Sequence, residues 1–334
     1  MTNSTPNRSW DQAIAGLAHP RAITMLFLGF SAGLPLLMIF GTLSVWLREA
    51  GVERATVTFF SWAALGYSFK FVWAPLIDRL PIPGLTIRLG RRRAWLLVAQ
   101  IALALAMLWT AAFDPQSHLL MTAIGAVLIG FCAATQDIVI DAYRIESAPP
   151  DLQSMLSSTY IAGYRIGMIV GGAGALHIAD LGGDGYNYEA WAWAYVAMAG
   201  AMLVGIVTTL VIDEPDTAPR AEDSLNGPQA YLRFIAAFAF AVLAFMGVFA
   251  MSGTAAEFAR AAIETALNPT LSGFLTETLR LGCAIAAAAG CAWLCVATKL
   301  VPAEHVRVTY VDPVADFMKR YGGSALIILL LIGT

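Results

Sequence analysis

The chain has 334 residues, 58% of them hydrophobic and only 13% charged, with a formal net charge of −3. Soluble domains run at about 45–50% apolar and about 25% charged, so this composition excludes an ordinary soluble globule. The small net charge, with no Lys/Arg block outside one loop, also argues against a nucleic-acid partner.

Apolar runs of roughly 20 residues, long enough to cross a hydrocarbon core at about 1.5 Å per residue, recur along almost the whole length. The first, at 23–47, follows a polar stretch and is too long for the core of a signal peptide, so it is a retained span. Further spans are expected at 57–77, 94–113, 119–141, 154–180, 190–212, 231–252 and 278–300, with a ninth beginning near Ser324. All should be helices, because a helix satisfies its own backbone hydrogen bonds in lipid. The expected class is an all-α polytopic membrane protein.

Orientation follows from the basic residues. With the N-terminus cytoplasmic, 14 of the 20 Lys and Arg fall on that side and four on the other, with Lys70 and Arg165 left inside the membrane. The domain plan is a cytoplasmic N-terminus (1–22), a six-helix bundle (23–212), a Pro- and acid-rich cytoplasmic linker (213–230) and an inserted hairpin (231–300). A second cytoplasmic linker (301–323) carries a short surface helix in "DPVADFMKRYGG", and 324–334 starts another helix.

Ionisable groups inside a membrane are costly and are functional candidates by default. In "GYSFKFVWAPLID", Tyr67 and Lys70 share a stripe about 10 Å inside the cytoplasmic end. Lys70 either snorkels to the headgroups, makes a structural ion pair, or faces a central cavity with Tyr67. Arg165, about 16 Å deep in the fifth span, is too far in to snorkel easily. It points away from the stripe Gly163, Gly167 and Gly171, whose small residues permit close helix packing, and so faces a cavity or a buried carboxylate.

In "AATQDIVIDAYRIE", Asp137, Asp141 and Arg144 share one face. Asp141 and Arg144 lie level with "DRLPIPGLTIRLGRRR" and should join a boundary charge network with Asp78, Arg79, Arg91, Arg92 and Arg93. Asp137 and its neighbour Gln136 lie deeper, where reversible protonation of the carboxyl becomes feasible; a helix-anchoring salt bridge is the alternative. Gly29 and Gly33, followed by Pro35, either break the first helix beside a transport path or serve tight packing.

Four cysteines, Cys132, Cys283, Cys291 and Cys295, lie in apolar runs with no nearby His or carboxylate, so neither a metal site nor a disulfide is expected. The chain has no Gly-x-Ser-x-Gly, His-Glu-x-x-His or Walker sequence, which argues against an enzyme or an ATP-driven pump.

The runs "GFSAGLPLLMIFGTLSVWLREAGV", "GYSFKFVWAPLIDRLPIP" with "GRRRAWLL", "ATQDIVIDAYR" and "GYRIGMIVGGAGAL" resemble, in this order, the muropeptide permeases of the AmpG type, within the major facilitator superfamily. The resemblance covers about residues 20–212 and extends weakly into 311–332. It implies a proton-coupled importer of anionic anhydro-muropeptides, the sugar–peptide products of cell-wall turnover, working in the bacterial inner membrane. The driving force would be the proton gradient, with no cofactor, and the complete protein would be monomeric.

On that reading Lys70 and Arg165 meet cargo carboxylates. Tyr67, Trp73 and Tyr164 stack on sugar, Gln136 and Gly33 line the path, and Asp137 exchanges the proton. The family fold of two six-helix bundles with two extra helices implies that this chain holds the first bundle, the hairpin and the start of the second bundle. Another sugar, peptide or acyl-CoA cargo, or a membrane sensor without flux, are the alternatives.

Overall fold

The computed structural model describes residues 19–60, 70–183, 185–215, 228–264, 268–312, 315–320 and 322. Among them every regular element is helical. Seven helices among the described residues are long and apolar enough to cross a membrane: Pro20–Glu49, Arg91–Ala111, Pro115–Ser147, Pro150–Asp180, Tyr188–Val211, Tyr231–Met251 and Leu271–Ala297. This is an all-α, multi-pass membrane protein.

The first five of these helices correspond to the first, third, fourth, fifth and sixth expected spans. The second segment is described in pieces, Arg54–Phe60, a tight turn at Lys70–Val72 and Ala74–Arg79. Tyr67 lies outside the described residues, as do 216–227 of the first linker and the helix expected from Ser324.

Helix starts follow local capping chemistry. Asp114 accepts a hydrogen bond from the Gln116 amide, Asn187 from Ala190 and Asn268 from Leu271. Proline occupies the first helical turn after Asp114 and after Asn268. The last of these corrects a boundary. The helix expected from 278 begins at Pro269, because the Asn268 cap and Pro269 start it before the apolar run does.

The chain divides into two compact units, Met1–Ala218 and Pro219–Thr334. In the first unit the first and fifth spans touch backbone to backbone. A Cβ on Gly29 would run into the Tyr160 carbonyl, and one on Gly33 into that of Tyr164. In return, a Cβ on Gly163, Gly167 or Gly171 would strike the carbonyls of Leu26, Phe30 and Leu34. Gly29 and Gly33 therefore serve packing, and the stripe on the fifth span meets a matching stripe on the first.

Pro35 does not stop the first helix, which continues into a π turn at Met38–Thr42. A second π turn, Val170–Gly174, faces it, and the Thr42 hydroxyl donates to the Gly171 carbonyl at 2.8 Å. Beyond these turns the helix ends are held by aromatic packing. Trp46 stacks on Trp191 with 5.8 Å between ring centroids, and the Tyr195 hydroxyl donates to the Met38 carbonyl. The Trp191 ring N–H reaches Glu49, and the Tyr186 hydroxyl donates to Asp114.

In the second unit, Pro228–Met251 and Pro269–Ala297 are joined by a shorter helix, Gly253–Glu264. Arg280 clamps the turn. Its guanidinium donates to the Phe249 carbonyl at 2.8 Å and to Ser252 at 3.3 Å, pairs with Glu277 at 2.9 Å and covers the Phe249 ring. Residues 315–320, within the expected surface helix at 312–323, are helical.

Candidate functional site

Two groups of charged side chains stand out in the first unit, and their geometries differ. The interior group gathers around Asp137 on the fourth span. Its Oδ2 lies 4.0 Å from the Lys70 ammonium and its Oδ1 lies 3.4 Å from the Tyr160 hydroxyl. The Asp137 side chain is 12% exposed and that of Lys70 37%. Lys70 stands in the tight turn that precedes Trp73, and Pro75 opens the short helix that follows.

The Trp73 ring N–H donates to the Thr135 hydroxyl at 3.1 Å, and its ring packs on Phe131. Tyr164 stands one turn from Tyr160 with 5.9 Å between ring centroids. The fold thus brings together Lys70, Trp73, Asp137 and Tyr164 from three segments far apart in sequence.

Other expected site residues lie elsewhere. Gln136 is fully buried, and its amide donates to Ser31 at 3.2 Å. One residue step turns a helix by about 100°, so Gln136 faces the bundle interior while Asp137 faces the Lys70 side. Gly33 lies beneath the Tyr164 backbone. Neither therefore lines an open path, which corrects that part of the expectation. Arg165 is exposed on the fifth span; its guanidinium lies 3.8 Å from the Met168 sulfur and pairs with no carboxylate among the described residues.

The second group sits at one end of the unit, where Arg92 is only 5% exposed. Its guanidinium donates to Glu146 at 2.7 and 2.5 Å and to Asp78 at 2.6 Å, tying the second segment, third span and fourth span together. Such short bidentate pairing is the strong form of ionic hydrogen bond.

Glu214, just past the sixth span, accepts from the Arg92 and Arg93 amides at 2.7 and 2.9 Å and so caps the third span. The Arg93 guanidinium answers by binding the Thr209 and Leu210 carbonyls at the end of the sixth span. Gly90, at φ +86°, leaves room for the Glu214 side chain that a Cβ would displace.

Asp141 and Arg144 stand apart from this network, paired with each other at 3.2 Å, and Arg144 also reaches the Ser157 hydroxyl. Arg79 ends the short helix of the second segment and Arg91 begins the third span, at the same end. Glu146 and Glu214 were missed from sequence. Glu146 was legible as the next acid after Arg144 in "DAYRIE", whereas Glu214 lies in an irregular linker and carried no signal.

Replacing Arg92 with Ala strands two acids at a helix junction. Removing one partner of a buried pair costs about 3–5 kcal/mol; Asp78 and Glu146 keep partial access to water, so the expected loss is roughly 2 kcal/mol. Thermal unfolding in detergent should fall by roughly 4–8 °C.

The family model for the Major Facilitator Superfamily matches residues 22–311. The chain belongs to the major facilitator superfamily. It is similar to the anhydromuropeptide permease of Escherichia coli K12, with 39% identity over 202 residues, 60% of this chain and 39% of that protein. A Rickettsia conorii protein that bears the designation AmpG 4 is 36% identical over 196 residues, 59% of this chain and 46% of its own length. A Rickettsia prowazekii protein designated AmpG 3 is 38% identical over 216 residues, 64% of this chain and 50% of its own length.

The chain thus spans about two-fifths to one-half of the length of the curated relatives it matches. Over roughly its N-terminal two-thirds it is related to the AmpG-type permeases, and superfamily membership assigns it to transport rather than catalysis. In this superfamily member the end network is short and bidentate, which suits a lock. The interior pair is long, at 4.0 Å, with Lys70 partly exposed, which suits exchange of partners.

Proposed function

We propose that the protein works as a proton-coupled importer of anhydro-muropeptides, carrying them from periplasm to cytoplasm with its N-terminus on the cytoplasmic side. The observation that carries this reading is the loose Lys70–Asp137 pair, set in a unit whose end network is tight. An ionised pair is neutral in sum. Protonating Asp137 leaves Lys70 with an unpaired positive charge, which a cargo carboxylate then neutralises. The loaded and empty states both carry no net charge at this position, and so both avoid moving a bare charge through a low-dielectric interior.

The groups facing Asp137 are Lys70 from the second segment, Asp141 on its own helix, and the phenols of Tyr160 and Tyr164 on the fifth span, with Arg144 above the Tyr160 ring. Lys70 takes the cargo carboxylate, Arg165 a second one, and Trp73, Tyr164 and Tyr67 the sugar faces. The Asp78–Arg92–Glu146 network, with Arg79, Arg91 and Arg93 beside it, gates the cytoplasmic end, and the separate Asp141–Arg144 pair lies over Tyr160. In the domain plan, 23–212 is a six-helix bundle, 213–230 a linker, 231–300 an inserted hairpin, and 301–323 a linker leading to a second bundle that begins at 324.

The test is uptake of labelled anhydro-muropeptide into vesicles bearing the protein as its native gene encodes it, with an inward proton gradient. Lys70→Met should raise the apparent KM about tenfold or more, the cost of one charge-assisted contact of roughly 1.5–3 kcal/mol. An unchanged KM would remove Lys70 from cargo binding. No saturable uptake of labelled muropeptide, with proton-driven uptake of labelled acyl-CoA or free peptide in its place, would change the cargo; binding without counterflow would point to a sensor.

A further inference from the structure

Asp137 is held from two sides, and its holders differ in mobility. Lys70 ends a four-carbon stem on a tight turn and is partly exposed. Tyr160 is anchored. Its backbone carbonyl lies where a side chain on Gly29 would have to be, so the first span presses directly on it. Its ring lies between Tyr164, at 5.9 Å between centroids, and the Arg144 guanidinium, 5.9 Å from the ring centroid. Arg144 is itself fixed by Asp141 at 3.2 Å and Ser157 at 3.0 Å. Only the hydroxyl of Tyr160 is free to turn, and it points to the Asp137 oxygen that Lys70 does not face.

We infer that Tyr160 is a positioning residue for Asp137: it keeps the carboxyl group aimed at Lys70 during the half-cycle in which Lys70 holds cargo instead. This rests on the reading of Asp137 as the proton carrier. A phenol is suited to the task because its hydroxyl can donate to the ionised carboxylate and accept from the protonated acid, whereas a second cation would compete with Lys70. Without that hydroxyl, Asp137 would lose its fixed post whenever Lys70 left, and return of the proton would no longer be tied to release of cargo.

The experiment compares Tyr160→Phe with the native protein in vesicles, measuring both proton-driven net uptake and cargo counterflow without a gradient. Phenylalanine keeps the ring against Tyr164 and Arg144. Net uptake should fall about tenfold while counterflow stays within about twofold of wild type. A purely structural role would lower both together, and that result, or no change in either, would overturn the inference.

Tyr143→Phe, which removes a hydroxyl bonded to the Asp213 carbonyl and not to Asp137, should leave the ratio unchanged. A second measurement covers poor expression of the single variant. Normalised to the amount of protein in the vesicles, the ratio of net uptake to counterflow should still fall about tenfold in Tyr160→Phe, and an unchanged ratio would count against the coupling. Proton-driven uptake surviving in Asp137→Asn alone would instead defeat the underlying reading. A dead Asp137→Asn beside a wild-type ratio in Tyr160→Phe would defeat only the inference.

Discussion

Asp137→Asn is expected to abolish proton-driven accumulation, to about a hundredth of wild type or less, while cargo exchange without a gradient persists. Asparagine keeps the size of the side chain and mimics the protonated acid, so Lys70 is permanently released to hold cargo. A hundredfold loss corresponds to about 2.7 kcal/mol, more than the pair itself contributes to stability. At 4.0 Å, with Lys70 37% exposed, the ion pair is worth about 1 kcal/mol or less.

The lysine left behind is 37% exposed on a flexible stem, so no fully buried charge is stranded to force unfolding. The variant should therefore unfold within a few degrees of wild type, and the two measurements together separate lost coupling from lost fold. Accumulation that continued to follow the proton gradient would remove Asp137 from the proton path.

The second large effect is on stability. Gly163→Ala adds one methyl group, yet that Cβ would collide with the Leu26 carbonyl of the first span. Overpacking by a methylene costs about 1–3 kcal/mol when flexible side chains can give way. Here the obstacle is helix backbone, and Gly29 and Gly33 press back from the other side, so the two spans must separate as bodies. The expected loss is about 3 kcal/mol or more, a large share of a total stability of about 5–15 kcal/mol. At about 2–4 °C per kcal/mol, the midpoint in detergent should drop by roughly 6–12 °C.

Gly200→Ala is the matched control. It lies in the sixth span with nothing within 4 Å of its added Cβ. Alanine's better helix propensity there should leave stability unchanged or raise it by up to about 1 kcal/mol. Equal midpoints for the two variants would mean that the first and fifth spans do not meet through glycine.

Much of this was readable without a structure. Spans were legible because a hydrocarbon core demands long apolar helices, and the helices at Pro20–Glu49, Arg91–Ala111 and Tyr188–Val211 lie where the apolar runs placed them. Lys70 and Asp137 were legible as candidates because charge in such runs is costly, and Arg92 as one of the boundary charges in "GRRR". The 3.6-residue period placed Asp137, Asp141 and Arg144 on one face and Gly163, Gly167 and Gly171 on one stripe.

Partner choice was not legible. Nothing in "DAYRIE" says that Glu146 rather than Asp141 takes Arg92, because the choice depends on how the third and fourth spans are rotated against each other. Gln136 adjoins Asp137 in sequence but faces Ser31 inside the bundle, and Gly33 meets the backbone of Tyr164, 131 positions further along. Composition and helical period act within a segment, and they determined the membrane class, the spans and the costly residues. Contacts between segments depend on rotation, depth and close approach of backbones, so only the tertiary structure decided that Asp137 lies between Lys70 and Tyr160.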